Sequence, residues 1–256
     1  LVIYEWSNLA QRKPLRRLIQ NGTARPIMTE ARDGRLCEME KWISICDAIA
    51  GEQSPSDASH DISHCRRVWR LSLAIMARDA IEADLLVLMA AAYFHDIRNY
   101  PKNSSLRELT STHSADRAVE LLSCHGFPPE KTAKLHHAIA AHSFSAGIPP
   151  TSNEARIVQD ADRIEALGAI GLARAFAVGS TLGANLFDPD DPLAESRSLN
   201  DRRFTLDHFQ TKLFHLPDKM NTRAGREIAE RRVLVLRDFV SNLMNELHLA
   251  DVDSAA

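Results

Sequence analysis

An imidazole and a carboxylate stand side by side at His95-Asp96, at the exit of the apolar, alanine-rich run Leu85-Leu86-Val87-Leu88-Met89-Ala90-Ala91-Ala92-Tyr93-Phe94. A core helix gains nothing from two adjacent polar groups at its end. A metal site gains two ligands on rigid, buried backbone. His64 upstream and Asp162 downstream extend the set to two imidazoles and two carboxylates. Without thiolates this is not a finger-type structural zinc site. It suits a hard or borderline divalent ion such as Mn²⁺, Mg²⁺, Fe²⁺ or Co²⁺, with positions left open for water and a phosphate oxygen.

The elements that must position these groups are helical. Met39, Trp42, Ile43 and Ile45 open a first helix from about Glu38, and Ser54-Pro55-Ser56-Asp57 breaks it. Asp61 reads as the cap of a helix carrying His64, Val68, Leu71, Ile75 and Met76. Ala83 to Phe94 forms the next helix, and Pro101 ends the loop behind it. Two more follow, Ala115 to Cys124 and Pro129 to His142. Asn153 is expected to cap a helix running through Ile157, Val158, Ile164, Leu167 and Ile170. Gly179 to Arg203 is a long polar stretch, and final helices are expected around Phe204 to Phe214 and Ala224 to Leu249. Helices packed side by side bring distant ligands together at facing surfaces. No β alternation and no repeat is evident, so the expected fold is all-α: a single domain over residues 37–250, with a metal site between helices. Residues 1–36 read as a poorly structured extension, with Met28 as an alternative start, and 251–256 as a tail.

Composition narrows the classes further. The chain has 256 residues, 45% hydrophobic and 25% charged, enough for a large core without disulfide staples. A net charge of -3 gives no global basic field for a nucleic-acid polymer. A small phosphorylated partner remains compatible, because a pocket needs only a few local cations. No apolar run approaches the roughly 20 residues that span a bilayer. Cys37, Cys46, Cys65 and Cys124 contain no CxxC pair, so free buried thiols and a cytoplasmic location are expected. Asp188, Asp190 and Asp191 lack the glycine and glutamate spacing of a calcium loop and read as a solvated turn.

The ordered pattern His64…His95-Asp96…Asp162 resembles the H…HD…D signature of the HD-domain superfamily of metal-dependent phosphohydrolases. The flanking words His64-Cys65-Arg66-Arg67-Val68-Trp69, Tyr93-Phe94-His95-Asp96-Ile97, Ala138 to Ser145, Ile157 to Arg163, Leu167 to Arg174 and His208 to Leu213 are similar to one subgroup. That subgroup is the bacterial all-helical HD nucleotide pyrophosphohydrolases, and the likeness runs from about Glu38 to about Leu249. The resemblance implies His64, His95, Asp96 and Asp162 as metal ligands and a divalent ion, Mn²⁺ foremost, as cofactor. It also implies hydrolysis of a nucleoside triphosphate to monophosphate and pyrophosphate. Its register favours Asp162 over Asp160, which points the other way on a helix.

Roles for the remaining polar residues follow from position. Arg67 lies three residues after His64, on the same helix face, and is read as a phosphate contact or a structural ion pair. Lys102 follows the HD pair and is read as a phosphate contact or a solvated lysine. His142 is expected to orient water or exchange a proton, and Asp96 is read as catalytic as well as a ligand. His208 and Lys212, four residues apart, are expected to share a helical face and contact substrate. His113 reads as a surface residue, and of His136-His137 at most one faces a given point. A mononuclear site is therefore expected. Other activities on the same scaffold are a phosphomonoesterase, a cyclic-nucleotide phosphodiesterase, or a di-iron oxygenase recruiting His113, His137 or His142. A non-catalytic nucleotide sensor is the alternative from another class. The apolar helices are also compatible with a homodimer.

Overall fold

The helical periods become helices in the computed structural model, which describes residues 29–53, 61–100, 106–143 and 145–253. Nine α-helices and no strand occur among them. The first, α1 (Thr29–Gln53), begins at Thr29 rather than near Glu38. Helical backbone thus reaches into the segment assigned to an extension, and residues 1–28 lie outside the described residues. Contacts divide the chain into two compact units, Leu1–Ala161 and Asp162–Ala256.

In the first unit Asp61 caps α2 (Ile62–Asp79) as expected, its Oδ1 accepting from the His64 amide at 2.9 Å. The next helix, α3 (Leu85–Phe94), is capped by Asp84, which accepts from the amides of Leu86 and Val87 at 3.1 and 3.3 Å. All residues of α3 from Leu86 to Phe94 are buried. Its all-round hydrophobicity is that of a central core helix, and it packs against α1, α2 and α5 (Thr132–Ala140). Between α3 and α5 runs α4 (Thr110–Ser123). The helix expected over 129–142 is shorter at both ends: Pro129–Lys131 is a 3₁₀ turn, and His142 lies beyond the helix. Helix α6 (Asn153–Glu165) is capped not by Asn153 but by Ser152, whose hydroxyl accepts from the Ala155 amide at 3.1 Å. Asn153 instead donates its side-chain amide to the Glu82 carbonyl at 2.8 Å. The four cysteines form no disulfide, and only Cys46 and Cys65 are buried, while Cys37 and Cys124 are exposed.

A charged junction joins the N-termini of α3 and α6. Buried Glu154 accepts from the Asp84 amide at 2.7 Å and from Lys134 Nζ at 3.1 Å, and Lys131 Nζ reaches Asp84 at 2.6 Å. Burial alone would raise the Asp84 pKa, but the Lys131 ammonium and the amides of Val87 and Leu86 outweigh it and hold the carboxyl below its ordinary 3.8. The folded chain therefore binds this proton less tightly than the unfolded one. The resulting stabilisation is present above pH 3.8 and is lost as pH falls through the folded value. Asp84→Asn keeps the cap but not the charge, and should cost up to about 1 kcal/mol at pH 7 for this part-exposed pair. Urea unfolding should show the gap from wild type narrowing below pH 3.8; a gap constant with pH would remove the ionic contribution.

In the second unit the helix expected through Ile170 breaks after Glu165, and α7 (Gly168–Thr181) starts at a glycine with φ of +73°. A Cβ on Gly171 would lie 2.2 Å from the Ala166 backbone, so the corner folds tightly under the first turn of α7. The helix expected from Phe204 to Phe214 contracts to α8 (Asp207–Thr211). The chain before it pairs instead as extended backbone: the Thr205 amide donates to the Asn185 carbonyl at 2.8 Å and the Leu206 amide to Leu186 at 3.0 Å. The 3₁₀ turns Leu213–His215 and Pro217–Lys219 lead into α9 (Arg223–Asp253), which packs against α7 and the second turn. Phe176, Phe209 and Phe239 cluster, with ring centroids 5.6 to 6.3 Å apart. Asp188 accepts from the amides of Asp190 and Asp191, which makes the acidic stretch a hydrogen-bonded turn, as expected.

Candidate metal centre

His95 and His142, each just past a helix end, are aimed by the same device. His95 caps the C-terminus of α3, and its Nδ1 donates to the Ala92 carbonyl three residues back at 3.0 Å. His142, two residues past α5, donates Nδ1 to the Ile139 carbonyl at 2.7 Å. Committing Nδ1–H to a carbonyl leaves Nε2 as the outward atom of each ring. His64 sits in the first turn of α2, fixed by the Asp61 cap, and its Nε2 lies 3.1 Å from His95 Nε2. Both rings are fully buried.

Asp96 spans the two rings next to it, with Oδ2 3.6 Å from His95 Nε2 and Oδ1 3.3 Å from His142 Nε2. Asp162 comes from α6, one residue past the unit boundary on an unbroken helix. Ligand atoms of His64, His95, Asp96 and Asp162 all lie within 4.8 Å of one another. A six-coordinate ion with bonds of about 2.1 Å sets adjacent ligand atoms about 3.0 Å apart, which the two Nε2 atoms match. Two neutral imidazoles and two carboxylates also balance a dication. The donor set therefore fits a divalent ion with positions to spare.

The backbone around the centre is braced. Arg66 forks onto Asp47 of α1, and Tyr93, two residues before His95, donates its hydroxyl to the same carboxylate at 3.3 Å. Gln159 of α6 donates to the Ala141 carbonyl at 2.7 Å and so holds the chain beside His142. Composition patterns carried no signal for these ties, because each joins residues far apart in sequence.

The remaining candidates are distributed as follows. Arg67 is half-buried on α2, on the face that follows His64. Lys102 lies outside the described residues, as does His60. Asp160 is buried and is not among the clustered ligands. In the second unit, His208 Nδ1 meets Asp201 Oδ2 at 3.0 Å. Lys212 is the C-cap of α8, and its amide donates to the His208 carbonyl at 3.1 Å. Of the extra ligands that a di-iron site would recruit, His142 stands beside the centre, while His113 and His137 are engaged elsewhere. His113 Nδ1 pairs with the Tyr100 hydroxyl at 3.0 Å, and His137 Nε2 accepts from the Thr151 amide at 3.1 Å. Next to His137, His136 meets Asp116 at 3.0 Å.

The chain is similar to known proteins in both sequence and fold. The HD domain family model matches residues 61–167. The chain is 30% identical over 202 residues to the uncharacterised protein YpgQ of Bacillus subtilis (strain 168), covering 77% of this chain and 89% of that one. The structure of YpgQ in complex with ADP is similar at a TM-score of 0.61 and 28% identity, covering 80% of this chain and 95% of that one. Lin1889 from Listeria innocua gives a TM-score of 0.62 at 28% identity, covering 82% and 97%. An HD-superfamily hydrolase from Bacillus thuringiensis gives 0.60 at 29%, again covering 82% and 97%.

Proposed function

This chain belongs to the HD domain family of hydrolases, and we propose that it cleaves nucleoside triphosphates to monophosphate and pyrophosphate with a divalent ion, Mn²⁺ foremost. The observation that carries the reading is the convergence of two imidazoles and two carboxylates from three helices at the exit of a buried core helix. A nucleotide substrate is supported by the ADP complex of YpgQ.

His64, His95, Asp96 and Asp162 would hold the ion. When bound, a divalent ion lowers the pKa of water and neutralises phosphoryl oxygens as charge moves toward the leaving group. The chain's own residues do the rest. His142 holds and moves a proton at Nε2, opposite Asp96 Oδ1 at 3.3 Å. Asp96 orients that ring, and its second oxygen faces His95. Arg67 supplies a guanidinium for the phosphate chain from the ligand-bearing face of α2. Burial of both ligand imidazoles keeps bulk water from their backs.

The test is a screen of nucleoside triphosphates with Mn²⁺, Mg²⁺ and Co²⁺, with products identified by mass. The expected products are a nucleoside monophosphate and pyrophosphate. Orthophosphate alone would overturn cleavage between the α and β phosphates and favour a phosphomonoesterase.

A further inference from the structure

Asp162 stands in the last turn of α6, which ends at Glu165. Terminal helical turns fray unless their orphan carbonyls find donors. Here the Arg163 and Ile164 carbonyls accept from the Ala166 and Leu167 amides at 3.2 and 3.0 Å, and arginines of the second unit add further ties. Arg232, from the middle of α9, donates Nη1 to the Ile164 carbonyl at 3.0 Å and lies 3.5 Å from the fully buried Glu165 carboxylate. Arg174 of α7 reaches the Glu165 carbonyl at 3.5 Å. Arg163, adjacent to Asp162, donates to the Lys219 carbonyl at 2.5 Å. The Arg232 stem passes directly over the corner: a Cβ on Gly168 would lie 3.3 Å from its Cγ and Cδ.

We propose that Arg232 is a positioning residue for the metal centre, its guanidinium locking the final turn of α6 so that the Asp162 carboxylate is presented to the ion. The inference rests on Asp162 being a ligand. Arg232 touches backbone two residues from Asp162 and a carboxylate three residues from it. His64, His95 and Asp96 are held by other elements and other bonds. Losing Arg232 therefore loosens one ligand of four and leaves three in place. Partners that orient ligands in this way are worth about 10–100-fold in metal affinity.

Mn²⁺ binding, read by electron paramagnetic resonance on the full chain well below each variant's unfolding temperature, tests this. Wild type should bind, Asp162→Asn should bind weakly, and Arg232→Met should fall at least about 10-fold toward Asp162→Asn. Arg232→Lys should be intermediate, because an ammonium supplies a point charge without the fork. Arg232→Met binding Mn²⁺ like wild type, while Asp162→Asn does not, overturns the brace and leaves the ligand reading standing. Wild type that takes up no Mn²⁺, or Asp162→Asn that binds like wild type, overturns the ligand reading and the brace with it. If Arg232→Met does not fold, Arg232→Lys and Glu165→Gln carry the test, and wild-type affinity in both overturns the brace.

Discussion

His95→Ala should reduce metal-dependent turnover by at least about 10³-fold while far-UV circular dichroism stays that of the folded chain. The size of the effect follows from position. His95 Nε2 lies 3.1 Å from His64 Nε2 and 3.6 Å from Asp96, and its ring stands 5.0 Å from that of His142. Removing it takes away a ligand and the spacer between two others, so the ion and the acidity it gives to water are lost together. The cost to the fold is the Nδ1 bond to the Ala92 carbonyl and some packing, about 1–2 kcal/mol, which the buried helix α3 tolerates. Steady-state rates under Mn²⁺ titration, alongside thermal unfolding, check both halves. Retained activity would take His95-Asp96 out of the mechanism.

His142→Gln should lower kcat by about 10²–10³-fold while Mn²⁺ affinity changes little. His142 is not among the four clustered ligands, yet its Nε2 is 3.3 Å from Asp96 Oδ1. That places it beside the centre, where a proton can be exchanged. Glutamine keeps a polar group at the position and removes the titrating ring. Measuring kcat and Mn²⁺ affinity together separates the roles, and a parallel collapse of both would make His142 a ligand.

The four clustered residues were legible because each is a metal-binding type of side chain in a distinctive local setting. Asp61 announces the start of α2, and the greasy run before His95 announces a buried α3. Register alone could not choose between Asp160 and Asp162; the resemblance favoured Asp162, and Asp162 is the one in the cluster. What stayed hidden was set by tertiary contacts. The break after Glu165 depends on Gly168 adopting φ of +73° beneath Arg232, and a helical period running on to Ile170 gives no warning of it. The shortening of α8 depends on Thr205 and Leu206 pairing with Asn185 and Leu186, residues in a stretch that reads only as polar loop. The Ser152 cap was missed because Asn153, an equally good cap by type, is recruited by the Glu82 carbonyl.

The four clustered residues span more than a third of the chain, from His64 to Asp162, on or just past three separate helices. An unfolded chain cannot present such a constellation, so an ion held there binds the native state almost exclusively. It would act as a reversible cross-link, contributing about 2.7 kcal/mol of apparent stability at a free concentration of 100 Kd. In that sense the centre would be a clasp as well as a workplace: ambient metal would set how stable the fold is, apart from any turnover.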